Sequence, residues 1–115
     1  MIEKKRKSPE MLDFVKLMMG QDPEPVRALV EIYTKQASSA CIRAKWLLSH
    51  KGVKYTEYRI DQDELAAITM AQRTGGRRDL PQIFINNRHI GGDSELDRLN
   101  KEGELDHLLA EVYNY

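Results

Sequence analysis

With 115 residues, 41% of them hydrophobic and 31% charged, the chain has the size and apolar content of one globular domain built on a single core. Its 18 basic and 18 acidic side chains cancel, which argues against a general nucleic-acid or anionic-membrane binder. No apolar run approaches the roughly 20 residues of a membrane span, no secretory h-region follows the basic start, and a single cysteine forbids an internal disulfide. The expectation is a cytoplasmic protein with no nucleic acid and no membrane among its partners.

Residues 1–28 differ from the remainder. Lys4-Lys5-Arg6-Lys7 is a short basic run whose plain reading is a solvated tail. Ser8 before Pro9 combines an N-cap with proline at the first helical position, and Met11, Leu12, Phe14, Val15, Leu17, Met18 and Met19 supply an apolar stripe that ends at Gly20. Asp22-Pro23 repeats the signal, predicting a further helical turn over 24–28. The domain division is therefore a helical N-terminal extension, 1–28, followed by a second unit, 29–115. The methionine-rich stripe suits adaptable core filling or, as the other reading, a partner surface that could join two copies in a homodimer.

From Leu29 the elements alternate. Leu29 to Thr34 reads as a short apolar strand, and Ser39 to His50 as a helix stopped at Gly52. The segment Val53 to Ile60 is rich in Val, Tyr and Thr without clean alternation, which predicts a strand covered on both faces. Asp61-Gln62-Asp63-Glu64 reads as an acidic capping box for a helix running through Leu65, Ala66, Ile68 and Ala71 to Gly75-Gly76. Gln82 to Ile85, Asn86-Asn87 and Arg88 to Ile90 form the pattern of a hairpin, because asparagine tolerates the positive φ of a two-residue turn. Two last helices are predicted near Ser94 to Asn100 and Leu105 to Val112.

The chemistry concentrates at Ser38-Ser39-Ala40-Cys41. A strand that delivers two residues in C-x-x-C spacing to a helix N-terminus is the layout of a thiol redox site, where the helix dipole favours a thiolate. Here the first position is Ser38, which by residue type alone is a good N-cap. Cys41, one turn into the helix, reads by itself as a small buried hydrophobe, or as an oxidisable thiol if exposed. His50, His89 and His107 are scattered without ligand spacing, so no metal site is expected.

The element order, together with Tyr33-Thr34-Lys35 before the site, Cys41-Ile42-Arg43-Ala44-Lys45 after it, Leu80-Pro81-Gln82-Ile83-Phe84-Ile85, and Asn87-Arg88-His89-Ile90-Gly91-Gly92, resembles the glutaredoxins over about Leu29 to Leu109. The resemblance implies an α/β, thioredoxin-like fold: a four-stranded mixed sheet flanked by helices, here with the helical extension added. It implies glutathione as co-substrate, and reduction of disulfide or glutathionylated protein substrates. Ser38 then stands at the position of the nucleophilic cysteine and Cys41 at that of the resolving cysteine. Lys35 and Arg77, or its neighbour Arg78, match the cations that receive the glycine carboxylate of glutathione. The Leu80 backbone matches the segment that pairs with its cysteine moiety, Pro81 the cis proline, and Gly92, Asp93 and Ser94 the loop that meets the γ-glutamyl end.

Three positions depart from that pattern. Ser38 cannot form a disulfide, since exchange needs a thiolate. Asp79 puts a carboxylate where the family commonly has threonine or serine, and the acidic residue of the Gly-Gly loop falls one place early, at Asp93. A cluster-bridging role is disfavoured because serine is a poor iron ligand. The resulting expectation is a glutaredoxin-type oxidoreductase inactivated by a serine in place of its nucleophile, whether introduced deliberately or arising in a degenerate member. The alternative is a non-catalytic interaction or glutathione-binding module.

Overall fold

The computed structural model describes residues 26–112. The expectations for the helical extension and for a homodimer through it fall outside that range up to residue 25. The described elements are β1 (Val30–Thr34), α1 (Ser39–His50), β2 (Thr56–Arg59), α2 (Glu64–Thr74), β3 (Gln82–Ile85), β4 (Arg88–Gly91), α3 (Asp93–Lys101) and α4 (Glu104–Ala110). They build a four-stranded mixed sheet in the order β2-β1-β3-β4. Strand β1 pairs parallel with β2 and antiparallel with β3, and β3 and β4 form the hairpin. Its turn residues Asn86 and Asn87 have φ of 51° and 66°, the left-handed values expected of them.

Strand periodicity sorts the core into two layers. Val30, Ile32, Ile83 and Ile85 face one side, where Ala44 and Leu48 of α1, Leu96 of α3, and Leu105 and Leu109 of α4 close over them. Tyr33 and Phe84 face the other side, against Ala66 and Met70 of α2. Each fully buried aliphatic side chain contributes about 1.5–3 kcal/mol, so the central strands β1 and β3 anchor the domain.

Several expectations need correction. The strand read over Val53 to Ile60 is only four residues long and lies at the sheet edge, so it is not covered on both faces; Thr56 and Glu57 are exposed. The missing alternation came from an edge position with one neighbour, not from double burial. The cap of α2 is Asp63, whose carboxylate accepts from Leu65 N and Ala66 N, and Asp61 lies outside the helix. Leu65 and Ile68 lie in α2 as expected and are 70% and 48% exposed. Val26 to Ala28 are not helical: Arg27 N and Ala28 N donate to Leu109 O at 2.8 and 3.1 Å, tying this segment to the end of α4.

The register brings the parts of the predicted site to one end of the sheet. Tyr33 near the end of β1 pairs with Gln82 at the start of β3, so the loop leaving β1 and the residues entering β3 are neighbours. Gly91, ending β4, pairs with Ile83, which puts the Gly-Gly turn at the same end.

Candidate active site

The β1–α1 loop is held from below. Gln36 N donates to Asp61 Oδ2 at 3.1 Å, and Arg59 grips the same carboxylate through Nε and Nη2 at 2.8 and 2.7 Å. The Arg59 hydrogen bonds hold the Asp61 carboxyl well below the usual carboxylate range. Ala37 takes φ of 63°, a left-handed conformation that a non-glycine residue adopts at a cost of about 1–2 kcal/mol. This turn delivers Ser38, half-buried and extended, to the N-cap of α1. Its Oγ accepts from Cys41 N at 3.3 Å, and its carbonyl accepts the helical bond from Ile42 N at 3.0 Å. No acidic residue occupies the first turn of α1, so nothing on the helix opposes an anion at this terminus. Cys41 is 1% exposed and points into the interior.

On the neighbouring loop the Leu80-Pro81 peptide bond is cis. Leu80 is half-buried against Tyr33 and Phe84, and Pro81 is buried. Gln82, fully buried, fixes the loop from inside: its Nε2 donates to Asp79 O at 2.8 Å, and its Oε1 accepts from His89 Nε2 at 2.6 Å. Burial, and then the charge of Arg77, push the His89 imidazole down, favouring the neutral ring. The Gly-Gly turn closes against the same loop, for a Cβ added at Gly92 would stand 3.3 Å from Pro81 O. Gly91 has φ of 118°, and a Cβ there would meet Glu95 Oε1 at 2.7 Å. Glu95 uses that oxygen to accept from Gly92 N at 2.6 Å, capping the start of α3.

The charged residues at this end of the sheet differ in their partners. Lys35 and Arg78 are exposed. Arg77 donates from Nε and Nη2 to both oxygens of Asp79, at 3.1 and 2.6 Å. The pairing pushes the Asp79 carboxyl down and the Arg77 guanidinium up. Asp93 opens α3 but is held by Arg43 of α1 through Nε and Nη2 at 3.1 and 2.9 Å, while Ser94 is exposed beside it. Between α1 and α3 runs a groove of about 650 Å³ lined in part by Ile42, Trp46, Asp93 and Ser94. Ile42 and Trp46 are 59% and 64% exposed there.

Thus Ser38 joins Cys41, Pro81 joins Gly92, and Arg77 and Asp93 have each acquired a partner from within the chain. The sequence reading passed over the Arg43, Asp61, Gln82 and Glu95 contacts. Glu95 left a local signal, the residue three places after an N-cap; the Gln82–His89, Gln36–Asp61 and Arg43–Asp93 contacts join residues 7, 25 and 50 positions apart along the chain. Among the described residues no group of three or more His, Cys, Asp or Glu is placed to hold a metal ion, and no helix is long and apolar enough to cross a membrane.

A family model described as Glutaredoxin matches residues 30–90. A probable glutaredoxin of Synechocystis is 48% identical over 100 residues, covering 87% of this chain and 92% of the relative. Glutaredoxin 3 of Escherichia coli is 49% identical over 82 residues, covering 71% of this chain and 98% of the relative. The solution structure of a glutaredoxin from Brucella melitensis superposes with a TM-score of 0.64 at 38% identity, over 77% of this chain and 95% of that one.

Proposed function

The chain belongs to the glutaredoxin family, thiol–disulfide oxidoreductases that use glutathione as co-substrate, and on that premise we propose that it carries a glutathione site whose first chemical step is blocked at Ser38. The observation that carries this reading is the position of Ser38 at the N-cap of α1, with its Oγ on Cys41 N and no acidic side chain in the first turn.

A sulfur at position 38 would be stabilised as a thiolate by the same N–H and the same helix terminus. That thiolate attacks the glutathione sulfur of a protein–glutathione mixed disulfide, and the protein thiolate leaves and takes up a proton. A second glutathione, as thiolate, then attacks the enzyme-bound glutathione sulfur, forming glutathione disulfide and returning the enzyme thiolate. With serine the hydroxyl remains protonated near neutral pH, and no sulfur–sulfur bond can form. The positions that would bind glutathione remain: Lys35 and Arg77, the latter paired with Asp79, toward the glycine carboxylate, the Leu80 backbone beside Pro81 toward the cysteinyl unit, and Gly92, Ser94 and the Arg43-paired Asp93 toward the γ-glutamyl end. Cys41 keeps the resolving position but is buried. A reducing cytoplasm is the compartment that fits this chemistry.

The test is glutathione-dependent reduction of a small mixed disulfide by the chain and by its Ser38→Cys variant in parallel. Turnover by the variant alone is the expected result. A folded variant as silent as the unsubstituted chain overturns the redox reading and favours a non-catalytic interaction module.

A further inference from the structure

We propose that Asp79 is a specificity-determining residue: it occupies Arg77 as an internal stand-in for a ligand carboxylate, so the site gains little from the free carboxylate at the glycine end of glutathione. This inference rests on the reading above that Arg77 faces that end of the ligand.

The two donors that Arg77 gives to Asp79, Nε and Nη2, form the side-on edge that a free carboxylate engages bidentately. A carboxylate entering on this edge competes with Asp79 for the same two N–H groups, and one on the remaining Nη1/Nη2 end must share the guanidinium with it. Asp79 has the advantage of proximity, since it sits two residues from Arg77 in one short loop. Its backbone is fixed independently, by the Gln82 amide on its carbonyl. The carboxylate is consequently kept within reach of Arg77.

The pair does little for the fold, because the side chains of Arg77 and Asp79 are 38% and 63% exposed and exposed pairs contribute little. That same exposure leaves Arg77 within reach of a ligand. A ligand carboxylate that displaces Asp79 must then sit beside the charge it displaced, and it loses more of the benefit through like-charge repulsion. A glutathione-type peptide with its glycine carboxyl esterified or amidated carries no such penalty. The site thus distinguishes poorly between the charged and neutral forms of that end.

Calorimetric titration of the full chain and of Asp79→Ser with glutathione and with its glycine ethyl ester tests this. The unsubstituted chain is expected to bind the two within about twofold of each other, and Asp79→Ser to bind glutathione about fivefold tighter with the ester unchanged, the scale of one exposed ion pair. Asp79→Asn, which keeps the side-chain volume, is expected to show the same gain. If both ligands bind and neither variant alters their ratio, the role of Asp79 is overturned while the glutathione site stands. If neither ligand binds any of the three chains, the glutathione reading falls and this inference with it.

Discussion

Replacing Ser38 with cysteine puts a sulfur at the N-cap of α1, and the structure sets how far it should ionise. The Cys41 N–H that Ser38 Oγ accepts at 3.3 Å becomes a charge-assisted donor to a thiolate, worth about 1.5 kcal/mol. The helix terminus adds about 0.5 kcal/mol at this half-buried position, with no first-turn acidic residue to offset it. Lys35 is exposed, so water and salt screen its contribution. The sum, about 2 kcal/mol, multiplies the thiolate-to-thiol ratio roughly thirtyfold at a given pH. A free thiol is only a few per cent ionised at neutral pH, so the introduced thiol should be about half ionised there. Ultraviolet thiolate absorbance across a pH titration measures this directly. The unsubstituted chain provides the blank, because its lone Cys41 is 1% exposed. A midpoint at or above that of a free cysteine peptide would refute the assignment of this helix terminus as a thiolate site.

Two further outcomes follow from contacts outside the redox pair. Arg73 of α2 donates to Glu31 and to the Tyr33 hydroxyl at 3.0 Å each, and its guanidinium carbon lies 3.8 Å from the Phe84 ring centroid, with only 20% of its side chain exposed. Arg73→Met should therefore destabilise the domain by about 2 kcal/mol, a fall in Tm of roughly 8 °C, and Arg73→Lys should recover less than half of the loss because it lacks the planar fork; a calorimetric Tm unchanged in Arg73→Met would disprove the contribution. Asp61, depressed in the folded state by its Arg59 bonds, stabilises the fold above the ordinary carboxylate range and stops doing so as pH falls through its lowered pKa. The difference in Tm between the unsubstituted chain and Asp61→Asn should accordingly shrink on acidification from about pH 5 to about pH 2, and a difference constant over that range would exclude Asp61 as its source.

Much of the architecture can be read from local patterns. The cap at Ser38, the limits of α1 and the Asn86-Asn87 turn are decided within a few residues by hydrogen bonds and φ preferences that neighbours do not override. The shorter strand at Thr56 to Arg59 and the exposed Leu65 and Ile68 could not be read in the same way. Burial of an edge strand or of one helix face depends on what another part of the chain lays over it. The same holds for Val26 to Ala28, where two N–H groups go to the Leu109 carbonyl instead of a helical turn.

By itself, the sequence determined the order of the elements, the serine at the head of α1 and the motifs that bind this chain to its family, because each is local in the chain. Only the tertiary structure decided which charges at the site remain available. Arg43 reaches Asp93 across fifty positions, and Asp61 holds the Gln36 amide from twenty-five positions away. Such pairings depend on distance and exposure in three dimensions, and residue type and spacing along the chain carry neither.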